Sequence, residues 1–104
     1  MKSYKNFVNG KLVASVDGKN EPIISPVDER KLGTMPTGSA KDVDRAVDAA
    51  AAAFEKWQDT TPGERSLMML KLADVIEKNG DELAALEADN VGKPIGLAKS
   101  EIPF

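Results

Sequence analysis

A chain of 104 residues is about one small domain, and a domain of that size buries roughly two-thirds of the surface its unfolded form exposes. Hydrophobic residues make up 41% of it, enough for a core, while 30% are charged and the formal net charge is −3, with 14 basic and 17 acidic side chains interspersed. That balance excludes the basic stripe of a nucleic-acid binder and the composition of a disordered tail, and having neither cysteine nor histidine removes disulfides, thiolate metal sites, thiol nucleophiles and the usual near-neutral acid–base group together.

The opening MKSYKNFVNG has a lysine but no apolar stretch or small-residue cleavage site, so it does not read as a signal peptide. No apolar run approaches the roughly 20 residues that cross a bilayer. A cytoplasmic protein without membrane association is expected. Tyr4 to Ser15 reads as a hairpin: Phe7 and Val8 precede Asn9-Gly10, the preferred pair for a type I′ turn, and Leu12 and Val13 follow. Asp17-Gly18 marks a loop. Pro22-Ile23-Ile24-Ser25 is a short extended run stopped by Pro26, and the turn Pro26-Val27-Asp28-Glu29 leads to a second strand around Arg30 to Met35.

From Ser39 the apolar period changes from two to 3.6. Ser39 with Asp42 forms the aspartate variant of a capping box, and Val43, Ala46, Val47, Ala50, Phe54 and Trp57 then recur on one stripe that reads as core. The five alanines from Ala49 to Ala53 favour helix and allow close packing. Thr61-Pro62-Gly63-Glu64 opens a second helix with threonine as cap and proline at the first position. Its stripe is Met69, Leu72, Ala73 and Ile76, widened by Met68, Leu70 and Val75. Asn79-Gly80 is expected to end it, with Gly80 in the left-handed conformation. Asp81 is expected to cap a third helix through Leu83, Leu86 and Asn90, closed by Gly92, and Pro94 begins a fourth. The reading is an α+β piece: two β-hairpins over residues 1–36, then three to four helices over 39–104.

This arrangement resembles the N-terminal part of the NAD(P)-dependent aldehyde dehydrogenases, over nearly the whole chain. The residues that carry the resemblance are Phe7-Val8-Asn9-Gly10, Ser25-Pro26, Leu32-Gly33 and Asp42-Val43-Asp44-Arg45-Ala46-Val47. Trp57, Arg65, Leu70 and Leu72-Ala73-Asp74 follow, then Glu82-Leu83-Ala84 to Glu87, Asn90 and Gly92-Lys93-Pro94. No single one of these is specific; their order and spacing are. Within the family, Gly92-Lys93-Pro94 followed by Ser100-Glu101-Ile102-Pro103 looks most like enzymes of amino-aldehydes, such as aminobutyraldehyde or betaine aldehyde dehydrogenases.

The resemblance implies a cysteine thiolate that attacks the aldehyde, hydride transfer to the nicotinamide, and hydrolysis of the thioester with a glutamate base and an asparagine at the oxyanion. Those residues and the NAD(P)-binding segment lie C-terminal to the matched region, so no catalytic or cofactor-binding residue is assigned here. It also implies a monovalent cation, K+ or Na+, held by the backbone oxygens of Ile23 and Ile24 and the side chain of Asn90. Asn90 stands where relatives usually have aspartate, and its neutral amide oxygen attracts a cation less. The plainer reading makes Ile23 strand core and Asn90 part of the helix end. Glu101 is the candidate for the substrate entrance, where an acidic group would attract a cationic amine; the plainer reading is an exposed helix glutamate. Lys93 lacks the glycine-rich cradle of a phosphate loop.

Function is then a fragment's: a framework for an aldehyde dehydrogenase, not catalytic alone, meeting aldehyde only through the full-length enzyme. Without the rest of the enzyme its packing faces are expected to drive self-association. The alternative is a stand-alone interaction or assembly module that docks through the alanine face of the first helix and the Met68/Met69 region. An independent enzyme is the weakest reading, since no nucleophile–base arrangement is visible.

Overall fold

The computed structural model describes residues 2–104. Among them are five short strands, β1 (Lys2–Ser3), β2 (Asn6–Val8), β3 (Lys11–Val13), β4 (Asn20–Ile24) and β5 (Lys31–Pro36). Four helices follow: α1 (Ala40–Trp57), α2 (Pro62–Lys78), α3 (Gly80–Val91) and α4 (Ile95–Glu101). This is the α+β arrangement of short strands followed by helices that the sequence implies. No described helix is long and apolar enough to cross a membrane.

The chain divides into two compact units. One comprises the N-terminal residues to Ile23 and Lys31–Asp59; the other comprises Ile24–Arg30 and Thr60–Phe104. In the first unit, Asn9 and Gly10 both take positive φ, 51° and 74°, which is the type I′ geometry that matches strand twist. The turn sets the register: Asn6 opposite Val13, Phe7 opposite Leu12, Val8 opposite Lys11. The second sheet has the order β1-β5-β4. Its β1 edge has no sequence signal at all. Lys2 pairs with Gly33 and Ser3 with Thr34 in parallel, and the Tyr4 N–H extends the ladder to the Thr34 carbonyl at 2.8 Å. Gly33 is buried, and a Cβ placed on it would run into the backbone carbonyl of Lys2. The glycine of Leu32-Gly33 therefore serves close approach between strands, not a turn.

Helix α1 starts where the capping box places it. The Ser39 Oγ accepts from the Asp42 N–H at 3.4 Å, and the Asp42 carboxylate accepts from the Ser39 N–H at 2.9 Å. Asp42 reaches further than a box requires: its other oxygen accepts from the Val16 N–H at 2.9 Å, fastening the β3–β4 loop to the helix start. These bonds, that from the Ser39 backbone foremost, hold the Asp42 carboxyl below the ordinary aspartate range.

In the second unit, Thr61 and Glu64 close a capping box on α2, at 2.8 Å and 3.2 Å. The passage from α2 to α3 departs from the expectation. Gly80 is the first residue of α3 and does not take the left-handed conformation, and Asp81 lies in the first turn of α3 instead of capping it. The single residue between the helices is Asn79, whose side-chain amide donates to the Val75 carbonyl at 2.8 Å while its own N–H reaches Val75 and Ile76. With asparagine satisfying the orphan carbonyls of α2, no left-handed glycine is needed. Gly92 does close α3 as expected, at φ 75° with its N–H on the Ala88 carbonyl, and α4 begins directly after Pro94.

Two outcomes follow for this framework. Gly33→Ala forces β1 away from β5 and should cost about 1–3 kcal/mol, read as a lowered midpoint in a far-ultraviolet circular-dichroism melt; an unchanged midpoint would mean that the Lys2–Gly33 approach is not formed. The second concerns acid. Because the folded Asp42 pKa lies below the unfolded one, about 3.9, its contribution is present above that value and disappears as pH falls through the folded pKa. Asp42→Asn should thus melt below the native chain at neutral pH, and the two should converge in strong acid. A gap that persists there would contradict the role given to this carboxylate.

Candidate functional site

The largest functional feature is an absence of cover. No residue of α1 or α2 is buried. The α1 stripe expected as core is open to solvent: Val43, Val47, Phe54 and Trp57 are all exposed, Trp57 by 46%. On α2 the same holds for Met68, Met69, Leu70, Leu72 and Val75, leaving Ile76 half-buried. The hairpin tip adds Phe7, exposed by 73% and lying opposite Leu12. Among the described residues the buried apolar side chains are two alanines, Ala84 on α3 and Ala98 on α4.

The surface area gives this a magnitude. The chain exposes 8098 Å², whereas a globular monomer of its mass exposes about 5,700 Å² and two separate globules of half that mass about 6,800 Å² together. The excess is about 1,300–2,400 Å² over these two references. That is at least one partner's share of a standard protein–protein interface, about 800 Å².

A second feature lies within the second unit, where the loop from Ser25 to Arg30 meets the end of α3. Ser25 is buried, donating its N–H to the Arg30 carbonyl at 2.9 Å, and its hydroxyl accepts from the Val27 N–H at 3.2 Å. Glu29 sits at φ 59°, the left-handed region, with its N–H on the Ser25 carbonyl. Arg30 pairs with Asp28 at 3.1 Å and with Asp89 of α3 at 3.5 Å. A hydrogen bond from Ser25 and, less strongly, the Arg30 contacts hold the Asp28 carboxyl below its ordinary range. The approach is close: a Cβ on Gly92 would stand 3.3 Å from Pro26 Cγ and 3.5 Å from Val27 Cγ2. The Ser-Pro turn and Gly-Lys-Pro, 66 positions apart in sequence when Pro26 is counted to Gly92, thus share one corner.

Of the candidate cation ligands, Ile24 enters this loop and Asn90 lies two residues before Gly92, both exposed. Ile23 precedes Ile24 on β4 and is half-buried. Glu101, the candidate for the substrate entrance, ends α4 and is exposed, but it is not free: its carboxylate accepts from the Lys93 ammonium, which also reaches Glu87 at 3.2 Å. Glu101 first and Glu87 second push the Lys93 pKa above its ordinary value. Sequence reading weighed Lys93 only for phosphate binding and did not foresee the ion pairs of either Lys93 or Arg30. Each is one basic residue among several: Arg30 meets Asp89 only when its loop folds against α3, and Lys93 meets both Glu87 and Glu101 only when α3 and α4 fold back on each other.

Among the described residues no group of three histidine, cysteine, aspartate or glutamate side chains is placed to hold a metal ion. The sequence supplies no thiol for covalent attack on a carbonyl.

The model of the aldehyde dehydrogenase family matches residues 13–104. An aldehyde dehydrogenase of Emericella nidulans is 41% identical over 97 residues, which are 92% of this chain and 20% of that protein. A mitochondrial aldehyde dehydrogenase of Leishmania tarentolae is 43% identical over 94 residues, 90% of this chain and 19% of its own length. In structure, the NAD-dependent aldehyde dehydrogenase of Sinorhizobium meliloti superposes with a TM-score of 0.94 at 40% identity, covering 99% of this chain and 21% of that one. The chain spans about one-fifth of the length of the curated relatives it matches. With the family's model covering all but the first twelve positions, this chain belongs to the aldehyde dehydrogenase family, as the N-terminal part of its fold.

Proposed function

We propose that the chain acts as the N-terminal framework of an NAD(P)-dependent aldehyde dehydrogenase, non-catalytic by itself, whose α1 and α2 faces dock on the remaining four-fifths of the enzyme. The uncovered apolar surface supports this most directly. An excess of more than 1,000 Å² or so on a chain matching one-fifth of its relatives is the inner face of a larger packing unit. In that reading NAD(P) accepts the hydride and a thiolate of the remaining enzyme attacks the aldehyde. This chain's part is to bury Val47, Phe54, Met69 and Leu72 against that body and so hold its shape.

The test is reconstitution. The chain is mixed with the Sinorhizobium meliloti enzyme lacking its matched segment, and aldehyde-dependent reduction of NAD is followed at 340 nm. Neither piece should turn over alone, and together they should. Activity of this chain by itself, or a concentration-independent monomer that binds no hydrophobic dye in size-exclusion and fluorescence runs, would refute the framework reading.

Two finer assignments rest on the resemblance. Amino-aldehydes are the proposed substrate class of the whole enzyme, supported by Gly92-Lys93-Pro94 and the Ser100–Pro103 run; a preference for propanal over 4-aminobutyraldehyde would count against it. The backbone oxygens of Ile23 and Ile24 with the Asn90 amide oxygen are proposed to hold K+ or Na+. Neutral oxygen donors suit an alkali ion better than a divalent one, and Asn90 in place of aspartate predicts weak retention. A melting midpoint that rises in KCl but not in choline chloride of equal ionic strength, and that rises further in Asn90→Asp, is the expected result; identical midpoints in both salts would remove the cation.

A further inference from the structure

We propose that Lys93 is a positioning residue: by bridging Glu87 of α3 and Glu101 of α4 it holds the last helix in place and commits Glu101 to the fold. The inference stands on this corner alone and does not depend on how the chain assembles.

Helix α4 has little to stabilise it from within. It is seven residues long, against the roughly 12–15 that an isolated helix needs to be even marginal in water. Its N-cap is Pro94, with no side-chain cap bond, and its first turn has no acidic residue. Apolar cover is small as well, since its one buried residue is Ala98, a single methyl group. The end of α3, closed by the Gly92 N–H on the Ala88 carbonyl, has no basic residue in its last turn to complement its remaining carbonyls.

Lys93 answers both deficits from one position. It follows the left-handed Gly92, where a positive charge complements the unsatisfied carbonyls at the end of α3, and its ammonium reaches one carboxylate on each helix. Its side chain is only 25% exposed, less than that of any other basic residue in the described ion pairs; Arg30 and Lys99 are at 61% and 57%. The other charged contact between the two helices, Lys99 with Asp81 at 3.7 Å, has an aspartate that is 94% exposed and contributes little. The Lys93 pairing also bears on Glu101. A cationic amine arriving at that carboxylate would meet an ammonium already in contact.

Hydrogen exchange of the full 104-residue chain tests this. The Ala98 and Ile102 amides, which close on the Pro94 and Ala98 carbonyls, report α4 directly. Lys93→Met should speed their exchange roughly 3- to 10-fold while β5 and α1 amides stay unchanged. Lys93→Arg should restore most of the protection, and Glu101→Gln should lose part of it. Unchanged α4 exchange in Lys93→Met, uniform acceleration across the chain, or failure of arginine to rescue would each overturn the assignment. Ethylammonium chloride and sodium chloride at equal ionic strength should act alike on native α4. A selective loosening by the amine salt would show Glu101 open to cationic ligands and overturn its commitment to Lys93.

Discussion

The large apolar side chains on the stripes of α1 and α2 are mostly exposed, and this sparse burial governs the rest of the molecule. A small domain is ordinarily held by burying large side chains, each worth about 1.5–3 kcal/mol. Here none of the described large side chains is fully buried. What specifies the fold instead is local: two capping boxes, a type I′ turn with both residues at positive φ, and a left-handed glycine at the end of α3. Such devices are worth about 0.5–2 kcal/mol apiece, enough to set where helices begin and end.

Polar contacts show the same economy. Asp42 is both the third residue of a capping box and the acceptor for the Val16 N–H, so one carboxylate fixes a helix start and a loop. Arg30 ties its own loop to α3 through Asp28 and Asp89, and Lys93 ties α3 to α4 through Glu87 and Glu101. These pairs are all partly solvated, where individual ion pairs are weak. They direct orientation more than they add stability. The corner that results brings the Ser25-Pro26 turn against Gly92, which is why a side chain on Gly92 would meet the turn at once.

Family membership changes what the missing chemistry means. In a self-contained protein, having no cysteine and no histidine would point away from covalent and acid–base catalysis. In a chain that matches one-fifth of the length of an aldehyde dehydrogenase, the same absence is what the proposed framework role requires, since the thiolate would then belong to another part of the enzyme. Asn90 is the position where the resemblance and the physics pull apart. At the proposed cation site an amide would contribute a dipole where a carboxylate would contribute a charge.

Much of the framework was legible from residue order because its determinants are local. Asn9-Gly10, Ser39 with Asp42, Thr61-Pro62 with Glu64, and Gly92 before Pro94 each act within about four positions. Their outcomes can be written down before any long-range contact forms. Asn79-Gly80 was misread for an instructive reason. Both residues suit a helix end, and only the bond from the Asn79 side chain to Val75 decides that glycine is spared the left-handed turn. The pairing of Lys2 with Gly33, the junction of Pro26 with Gly92, and the sharing of Lys93 between two helices lay beyond the sequence. Each joins positions whose proximity depends on how whole elements fold back, and the choice among many similar lysines or glycines is made by that geometry. Apart from β1 and the junction of α2 with α3, the sequence by itself determined which segments are helix or strand and which faces are apolar; the tertiary structure alone decided how much of those faces is exposed, because burial is a property of what stands opposite a residue and not of the residue.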